Sequence, residues 1–274
     1  MCIRDSLWLL SQPDKKELVK DCYFDASAEE AAQRYYQSTE WCAIKEELPH
    51  NPGKVLDVGA GRGITSYALA KEGWNVVALE PDKSNLIGSG AIQSIAKAGE
   101  LPISVIEGFG EEVNEEASSF DMIFSRQAMH HANNLEQFCD ELYRVLKPGG
   151  TLITVRDHVI SKQSDLPKFL DIHPLHNLYG GEHAYTEKQY KDALTKAGFQ
   201  INKVLNPLGS PINFAPNTRK TLKNELQNRL QKYSLSWVSK CLENEIIFKL
   251  VLRVLSLFDN RPGRLYSFVC TKVK

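Results

Sequence analysis

The stretch Val55-Leu-Asp-Val-Gly-Ala-Gly-Arg-Gly63 decides the fold of this chain. Its apolar start predicts a short buried strand, and its glycines predict a tight turn that opens a helix. Gly59, Gly61 and Gly63 can adopt backbone angles that other residues avoid, so the main chain can approach a ligand closely. The spacing is G-x-G-x-G, because Ile64 stands where the dinucleotide fingerprint G-x-G-x-x-G needs its third glycine. The stretch therefore predicts a ligand-binding loop that departs from the dinucleotide type.

The acid in this stretch indicates the kind of ligand. Asp57 lies two residues before the first glycine, where a carboxylate would repel a pyrophosphate but attract an ammonium and a sulfonium. S-adenosylmethionine (SAM) carries both, and the stretch resembles motif I of class I SAM-dependent methyltransferases. A second apolar run, Val76-Val-Ala-Leu-Glu-Pro-Asp82, also ends in acids. Glu80 lies 23 residues after Asp57, about where an α/β nucleotide fold places the acid that holds both ribose hydroxyls.

Composition places the chain among soluble globular proteins. It has 274 residues, of which 42% are hydrophobic and 24% charged, and this length suits one domain with an elaboration. The net charge of −1 provides no overall electrostatic signal for nucleic acid. The cysteines are scattered without a C-x-x-C pair, which indicates reduced thiols in a cytoplasmic protein. The start lacks a secretory signal pattern, and residues 1–6 resemble a translated sequencing-adapter artefact.

An alternation of strand and helix patterns follows an N-terminal helical segment. Residues 14–48 predict helices, with Ser27 and Ser38 as candidate N-caps. The predicted strands cover 54–58, 75–79, 103–106, 120–125 and 150–156. The predicted helices between them cover 62–72, 83–98 and 134–146. This alternation predicts a doubly wound α/β fold, in which ligands bind at the carboxyl ends of parallel strands.

The resemblance to class I methyltransferases extends beyond motif I. The segment 120–125 is similar to the family's fourth strand, and Leu142-Tyr-Arg-Val-Leu-Lys-Pro-Gly-Gly-Thr-Leu152 to its helix-turn-strand join. The close match covers residues 54 to about 157. Beyond it, 186–199, 200–206 and 264–272 fit a helix and the sixth and seventh strands.

The resemblance implies a Rossmann-like fold with a mostly parallel, seven-stranded sheet and a helical insertion before the last strand. The predicted organisation is an N-terminal helical segment at 1–50, a SAM-binding core at 51–210, an insertion at 211–262 and the final core strand at 263–274.

The same resemblance implies a set of cofactor-binding residues. The set is Asp57, Gly59, Ala60, Gly61, Gly63, Glu80, Pro81, Gly108, Phe109, Gly110, Ser125, Arg126 and His131. Asp57 and the glycine loop would bind the amino-acid end of SAM, and Glu80 would bind the ribose. Backbone groups near Arg126 would hold the methionine end, with His131 beside the cofactor. Residues 108–111 would border the adenine.

One position departs from the family pattern. The family usually has an acid near the end of the third strand that contacts the adenine amino group, and Phe109 stands there in this chain. Phe109 could pack on the adenine ring, with backbone groups reading the ring's edge, or it could belong to the core.

The predicted insertion carries a basic and apolar segment. Residues 215–253 hold eight Lys or Arg and three Glu, which is a net charge of +5. Ile246–Phe258 contains ten apolar residues, and its polar Lys249, Arg253 and Ser256 fall on one stripe of a helix. The run is too short to span a bilayer, for which about 20 residues are needed. Two interpretations follow: a lid that packs on the domain, or a surface for an anionic or lipid-linked acceptor or a membrane face.

Methyl transfer from SAM depends mainly on alignment, because the sulfonium already makes the leaving group a good one. A general base is needed only where the acceptor arrives protonated. His158 follows the fifth predicted strand and is the candidate catalytic base, with an ordinary polar loop residue as the alternative. Asp157 need not orient His158, because adjacent strand residues point to opposite faces. His130 is a candidate for helix packing.

A histidine-rich loop at 172–183 contains two adjacent glycines, which predicts a flexible segment that faces the substrate. Four of its residues have the chemistry of metal ligands, namely His173, His176, Glu182 and His183. Their spacing matches no zinc signature, so the sequence predicts no metal.

These observations predict a cytoplasmic SAM-dependent methyltransferase that acts on an oxygen or nitrogen of a small-molecule acceptor. The 158–183 loop and the insertion would form the acceptor site. Motif I does not define the acceptor, and a methyltransferase for a lipid-linked or anionic acceptor at the membrane surface is an alternative.

Two further alternatives lie outside this class: a non-catalytic SAM-binding scaffold and a nicotinamide-dependent oxidoreductase. The missing third glycine and Asp57 disfavour the oxidoreductase. Nucleic acid is not a predicted partner, because no base-flipping motif is present and the basic charge is confined to the insertion. Peripheral membrane contact is compatible with the sequence, whereas a transmembrane span is not predicted.

Overall fold

One eight-stranded sheet forms the centre of the computed structural model, which describes residues 8–25, 27–179, 181–233 and 236–273. The strands are β1 (Lys54–Val58), β2 (Asn75–Leu79), β3 (Ile103–Ile106), β4 (Phe120–Arg126), β5 (Leu146–Ile160), β6 (Tyr185–Thr186), β7 (Phe199–Leu205) and β8 (Arg264–Lys272). The α-helices are α1 (Lys16–Asp21), α2 (Ala28–Tyr36), α3 (Thr39–Lys45), α4 (Ile64–Lys71), α5 (Ser89–Ala98), α6 (Leu135–Val145), α7 (Leu166–Ile172), α8 (Pro174–Tyr179), α9 (Glu187–Ala197), α10 (Pro211–Phe214), α11 (Arg219–Lys232), α12 (Ser236–Cys241) and α13 (Glu245–Leu257). The suggested artefact at residues 1–6 lies outside the described residues.

The strand order confirms the predicted doubly wound, mostly parallel fold. The order is β3-β2-β1-β4-β5-β8-β7, and β6 pairs with the end of β5. Only β8 among the described strands is antiparallel to its neighbours, β5 and β7. The direction of winding reverses between β1 and β4, which is the switch point where such sheets form a ligand crevice. The prediction of seven strands misses β6, because two residues are too few to show a strand pattern.

Helices cover both faces of the sheet. The buried cluster on one face includes Tyr35, Trp41, Val55, Leu69 and Phe124, which join α2, α3 and α4 to the strands. The cluster on the other face includes Leu56, Ile123, Phe138, Leu142 and Tyr190, which join α6 and α9 to the strands. Val55 and Leu56 are neighbours in β1, so alternate side chains of one strand supply both cores.

Both predicted N-caps in the N-terminal segment are confirmed. Ser27 Oγ accepts a hydrogen bond from the backbone N–H of Glu30, whose carboxylate accepts one from the backbone N–H of Ser27. Ser38 Oγ accepts a hydrogen bond from the backbone N–H of Trp41. These caps fix the starts of α2 and α3, and α3 then carries Glu40 and Trp41 into the core.

The segment before β8 is helical, as predicted, and α13 is its most apolar helix. One side of α13 packs on the protein through Leu252 and through Ser256, whose Oγ accepts a hydrogen bond from the backbone N–H of Leu208. The prediction that Ser256 shares a polar stripe with Lys249 and Arg253 is therefore wrong, because Ser256 is buried while the two cations are exposed. Within the described part of the chain, no helix combines the length and apolar character needed to cross a membrane. The proposed domain boundaries stay a prediction.

Candidate active site

A cavity of about 930 Å³ opens at the carboxyl ends of the parallel strands. Residues that follow β1, β2, β3 and β4 line it, together with residues within β5, the N-terminal helical segment and the loop around Glu182. The predicted site residues on its wall are Gly59, Ala60, Gly61, Glu80, Pro81, Gly108, Phe109, Gly110, Arg126, His131 and His158. The predicted residues that are not on its wall are Asp57, Gly63 and Ser125. The structure thus brings most of the predicted site to one cavity, of a size suited to a cofactor with a small acceptor.

The glycine loop after β1 leaves room for a ligand against its main chain. Gly59 and Gly61 have φ angles of 68° and 54°, in the left-handed region that favours glycine. A side chain at Gly59 would meet the Cβ of Ala128 at 2.6 Å, whereas one at Gly61 would meet no atom within 4 Å. Gly61 also lines the cavity, so the open space beside it is available to a bound molecule.

Glu80, at the end of β2, is held in place by the main chain. Its Oε2 accepts a hydrogen bond from the backbone N–H of Gly61 at 2.7 Å, and its Oε1 accepts one from Asp82 at 3.0 Å. Burial raises the pKa of the Glu80 carboxyl, and these two hydrogen bonds oppose the increase. Each carboxylate oxygen can accept more than one hydrogen bond, so Glu80 keeps acceptor capacity for two ribose hydroxyls.

Asp57 lies behind the glycine loop. Its Oδ2 accepts hydrogen bonds from the hydroxyls of Thr65 at 2.7 Å and Ser66 at 2.6 Å, which anchors the start of α4. Burial raises the pKa of Asp57 to about 6, although the two hydroxyl hydrogen bonds act to lower it. Its Oδ1 is buried and has no hydrogen-bond partner among the described residues. Direct contact between Asp57 and a ligand ammonium stays a prediction.

Phe109 is not a core residue. Its side chain is 62% exposed and lines the cavity between Gly108 and Gly110. The neighbouring Gly110 packs closely on Phe138, because a Cβ at Gly110 would lie 2.2 Å from that ring. The core interpretation of Phe109 is therefore wrong, and its ring face is available to an aromatic part of a ligand.

Three charged groups are buried together beside the cavity. Glu40 forms a two-point ion pair with Arg126, with Nε–Oε1 at 2.6 Å and Nη2–Oε2 at 3.1 Å. Arg156 Nε lies 3.6 Å from the same Oε2. Burial acts to raise the pKa of Glu40, but the two guanidinium charges outweigh it and lower that pKa. Two cations therefore share one buried anion, and both arginines line the cavity.

A bulge in β5 orients Arg156. The register of β5 against β8 shifts between Thr154 and Asp157, and Arg156 has a φ of 62°, which residues with side chains rarely adopt. The guanidinium donates hydrogen bonds to the backbone carbonyls of Ile212 at 2.8 Å and Ala215 at 3.1 Å. One side chain thus connects β5, α3 and the helical insertion.

His130 is buried between two acids. Its backbone N–H and its Nδ1 lie 3.1 and 3.0 Å from Oδ1 of Asp157, and its Nε2 lies 3.5 Å from Oε2 of Glu182. Burial acts to lower the pKa of His130, but the two carboxylates outweigh it and raise that pKa to about 9. Burial acts to raise the pKa of Glu182, but the neighbouring histidines outweigh it and lower that pKa to about 2. His130 therefore does more than pack against a helix, because its ring also connects Asp157 with Glu182.

The prediction that His158 follows the fifth strand is wrong, because β5 continues to Ile160 and contains it. His158 lies on the cavity wall with its ring fixed. Its Nδ1 is 2.9 Å from the carbonyl oxygen of Gly263, so Nδ1 carries the proton and Nε2 keeps a free lone pair. Burial, with a smaller effect from the charge of His130, lowers the pKa of His158 to about 3, so the imidazole is neutral near pH 7. Asp157 contacts His130, whereas His158 contacts Gly263. Adjacent side chains of a strand point in different directions, so the two residues can have different partners.

Sequence reasoning missed several residues of this site. Glu40 lies 86 positions before Arg126, and the signal that could have found it is a carboxylate beside the buried Trp41 on a helix. The pairing of His130 with Asp157 joins the turn after β4 to β5 and has no local signature. The segment 172–183, predicted as a flexible loop, is partly helical, because α8 occupies Pro174–Tyr179. Of its four residues with ligand chemistry, the structure groups Glu182 with His173, while His176 and His183 fall outside such groups among the described residues.

The strand order and the switch-point cavity are those of the Rossmann-like methyltransferase fold. Residues 56–154 match the family described as "Methyltransferase domain". A ubiquinone biosynthesis O-methyltransferase from Rhizobium etli is 26% identical over 179 residues, covering 62% of this chain and 71% of that protein. The mitochondrial ubiquinone biosynthesis O-methyltransferase of Rattus norvegicus is 34% identical over 116 residues, covering 40% of this chain and only 34% of that protein. A solved structure of phosphoethanolamine N-methyltransferase 2 from Haemonchus contortus, in complex with SAM, has a TM-score of 0.56 at 20% identity, covering 86% of this chain and 52% of that chain.

Over residues 56–154 the chain therefore matches a methyltransferase domain, and it shares its fold with solved SAM-dependent methyltransferases. The matched region runs from β1 to β5 and includes the glycine loop and Glu80. The residues present fit SAM, because open space lies beside Gly61, Glu80 offers acceptors for a diol, and Asp57 keeps a buried unpaired oxygen beneath the loop. The contacts of each residue with SAM stay predictions.

Replacing Glu40 should destabilise the fold, because the charges of Arg126 and Arg156 are then no longer balanced. We expect Glu40→Gln to lower the free energy of unfolding by about 3–5 kcal/mol, because it leaves two buried guanidinium groups without an anion. Urea unfolding would measure the change. The control Glu47→Gln removes a surface ion pair with Lys203 and should cost less than about 1 kcal/mol. Equal losses in the two variants would contradict a special role for Glu40.

Replacing Glu80 should weaken cofactor binding. We expect Glu80→Ala to reduce the affinity for SAM about a hundredfold or more, because charge-assisted hydrogen bonds to two hydroxyls are lost. Isothermal titration would measure the affinity, and a thermal melt would show that the variant is folded. The control Glu107→Ala removes a neighbouring exposed acid that pairs with Lys83 and should leave the affinity unchanged. Unchanged affinity in Glu80→Ala would remove Glu80 from the ribose site.

Proposed function

We propose that this chain transfers the methyl group of SAM to an oxygen or nitrogen of a small-molecule acceptor, with a hydroxyl oxygen favoured. The observation that carries this proposal is the neutral imidazole of His158 on the wall of the cavity that contains the glycine loop. The names of the Rhizobium and rat relatives, both O-methyltransferases, support an oxygen acceptor. We also propose that the protein is cytoplasmic, which is supported by the free thiols of Cys22, Cys42, Cys139 and Cys270.

The cofactor would span the cavity from Glu80 to the two buried arginines. Glu80 would accept hydrogen bonds from the ribose hydroxyls, and Phe109 would pack on the adenine. Two guanidinium groups balanced by one carboxylate leave a net positive charge at the part of the wall that β4 and β5 form. Arg126 and Arg156 would therefore favour the carboxylate of the methionine part, and Asp57 would favour its ammonium from beneath the loop.

In the proposed reaction, the acceptor oxygen attacks the methyl carbon of SAM. A carbon–oxygen bond forms while the carbon–sulfur bond breaks, and the sulfonium becomes the neutral thioether of S-adenosylhomocysteine. The hydroxyl proton passes to Nε2 of His158. A pKa of about 3 makes His158 a weak base, but the oxygen becomes oxonium-like as it gains the methyl group and its proton becomes strongly acidic. A weak base in the correct position is therefore sufficient at this stage.

Removing the imidazole tests this role. We expect His158→Ala to lower kcat about a hundredfold or more while the affinity for SAM stays near that of the unmodified chain. The assay would follow methyl transfer from labelled SAM to a panel of phenols and alcohols, with amines for comparison. His50→Ala, which changes an exposed histidine outside the cavity, is the control and should retain full activity. Full activity in His158→Ala would exclude it as the base, and an inactive panel with intact SAM binding would count against a simple hydroxyl acceptor.

The exposed face of α13 favours a second version of this function, in which the acceptor is anionic or lipid-linked and is met at a membrane surface. Ile246, Leu250 and Leu257 are 79%, 60% and 73% exposed, and Phe258 follows at 76%. The opposite side of the helix is buried. An apolar face of this kind within a basic segment is typical of a helix that lies on an anionic bilayer.

Vesicle binding tests this version. We expect the chain to sediment with vesicles of phosphatidylcholine mixed with phosphatidylglycerol, and much less with phosphatidylcholine alone, because the segment is basic. The double change Ile246→Ser and Leu250→Ser should reduce sedimentation at least about fivefold, since buried apolar area contributes to the binding. Val273→Ser, at a distant exposed apolar residue, is the control. Equal sedimentation of all three proteins would contradict docking through α13.

A further inference from the structure

Two histidines present their ring Nε2 atoms to one carboxylate at the cavity wall. Nδ1 of His130 lies 3.0 Å from Oδ1 of Asp157, and Nδ1 of His131 lies 3.2 Å from the carbonyl oxygen of Gly181. The other ring nitrogen, Nε2, faces Glu182 in both cases. Histidines that ligate metal ions usually have this arrangement, because an oxygen acceptor at the outer nitrogen fixes the tautomer and the ring orientation.

The distances among these side chains suit an ion between them better than direct hydrogen bonds. Oε2 of Glu182 lies 3.5 Å from Nε2 of His130 and 3.8 Å from Nε2 of His131. A charge-assisted hydrogen bond closes to about 2.7–2.9 Å. Bonds of about 2.0–2.2 Å to a shared ion separate neighbouring ligand atoms by roughly 3.0–3.5 Å, close to the observed spacing. The same Oε2 is buried without a hydrogen-bond partner among the residues that the structure describes, so it lacks the contact that an ion would supply.

We propose that His130, His131 and Glu182 bind a divalent first-row transition-metal ion such as Zn²⁺. Two imidazoles and one carboxylate are the ligands that such ions prefer, whereas Mg²⁺ prefers oxygen ligands throughout. Three protein ligands leave coordination positions open, as catalytic sites do. All three side chains line the cavity, so a bound ion would be accessible from it.

A second group of side chains shares Glu182 but is less suited to an ion. His158 and His173 offer ligand atoms within 4.8 Å of Glu182 and of each other. Nδ1 of His173, however, accepts a hydrogen bond from the backbone N–H of His176 at 3.3 Å, so its Nε2 carries the proton. The proposed site therefore omits His173 and leaves His158 as a neighbour, with its ring centroid 4.7 Å from that of His130.

The position beside His158 suggests a role for the ion. An acceptor oxygen bound to the ion would have a lowered pKa and would lie near the proposed base. This role rests on the proposed function, whereas the metal site itself does not.

Metal binding by the whole 274-residue chain tests the site directly. After treatment with a chelator, the chain is dialysed against Zn²⁺ alone, and we expect one ion per chain with a Kd in roughly the micromolar range or tighter. Glu182→Gln and His131→Asn should each weaken binding about tenfold or more. His131 is partly exposed and Gln is isosteric with Glu, so both variants should fold, which a thermal melt would show. Visible absorption of bound Co²⁺ gives a second readout and should be lost in the same two variants.

The matched control is His183→Asn, which alters the residue next to Glu182 but lies outside both groups of ligand atoms. It should bind Zn²⁺ like the unmodified chain. If the unmodified chain binds no Zn²⁺, the contacts of His130 with Asp157 and Glu182 are an ion-pair network only and the proposal fails. It also fails if Glu182→Gln and His131→Asn both bind normally, because the ion is then held elsewhere. Titration of SAM into the same samples reports separately on the proposed function.

Discussion

The site depends on one buried carboxylate held between two guanidinium groups. Glu40 belongs to the N-terminal helices, Arg126 to the end of β4 and Arg156 to the bulge in β5. Arg156 also binds the backbone at Ile212 and Ala215, so four separate parts of the chain converge on one charge. Charges at this depth are tolerated only when each has a partner in good geometry. Because two guanidinium groups share this one carboxylate, the cavity wall also keeps a net positive charge.

Different hydrogen-bond partners at the strand ends give the polar groups of the cavity different roles. Glu80 is fixed by backbone N–H groups and faces the cavity, whereas Asp57 is turned back towards α4. Side chains alternate along β5, so Asp157 supports His130 while His158 binds the carbonyl of Gly263. Without a bound ion, the pKa of His130 is raised and that of His158 is lowered, and their ring centroids are 4.7 Å apart. Neighbouring groups with opposed pKa shifts of this kind are characteristic of functional sites.

The sequence predicted what depends on local pattern. The strand from 54 to 58, the N-caps at Ser27 and Ser38 and the position of Glu80 follow from hydrophobic runs, capping residues and spacing. The pairing of Glu40 with Arg126 depends on how α3 packs against the end of β4. No residue near either one in the sequence indicates this contact. Phe109 shows the same limit, because an aromatic residue after a strand can be buried or exposed, and the sequence pattern does not distinguish the two.

The place of β8 in the sheet has a consequence for biosynthesis. Thr151 of β5 pairs with Thr271 of β8, and Gln200 of β7 pairs with Thr271 from the other side. On the ribosome, β5 and β7 are made long before the strand that must enter between them. Until then both carry unpaired edges, which are prone to associate with other chains. His158 likewise lacks the carbonyl of Gly263 until that residue has been translated, so a nascent chain can form the glycine loop well before it can form the complete cavity.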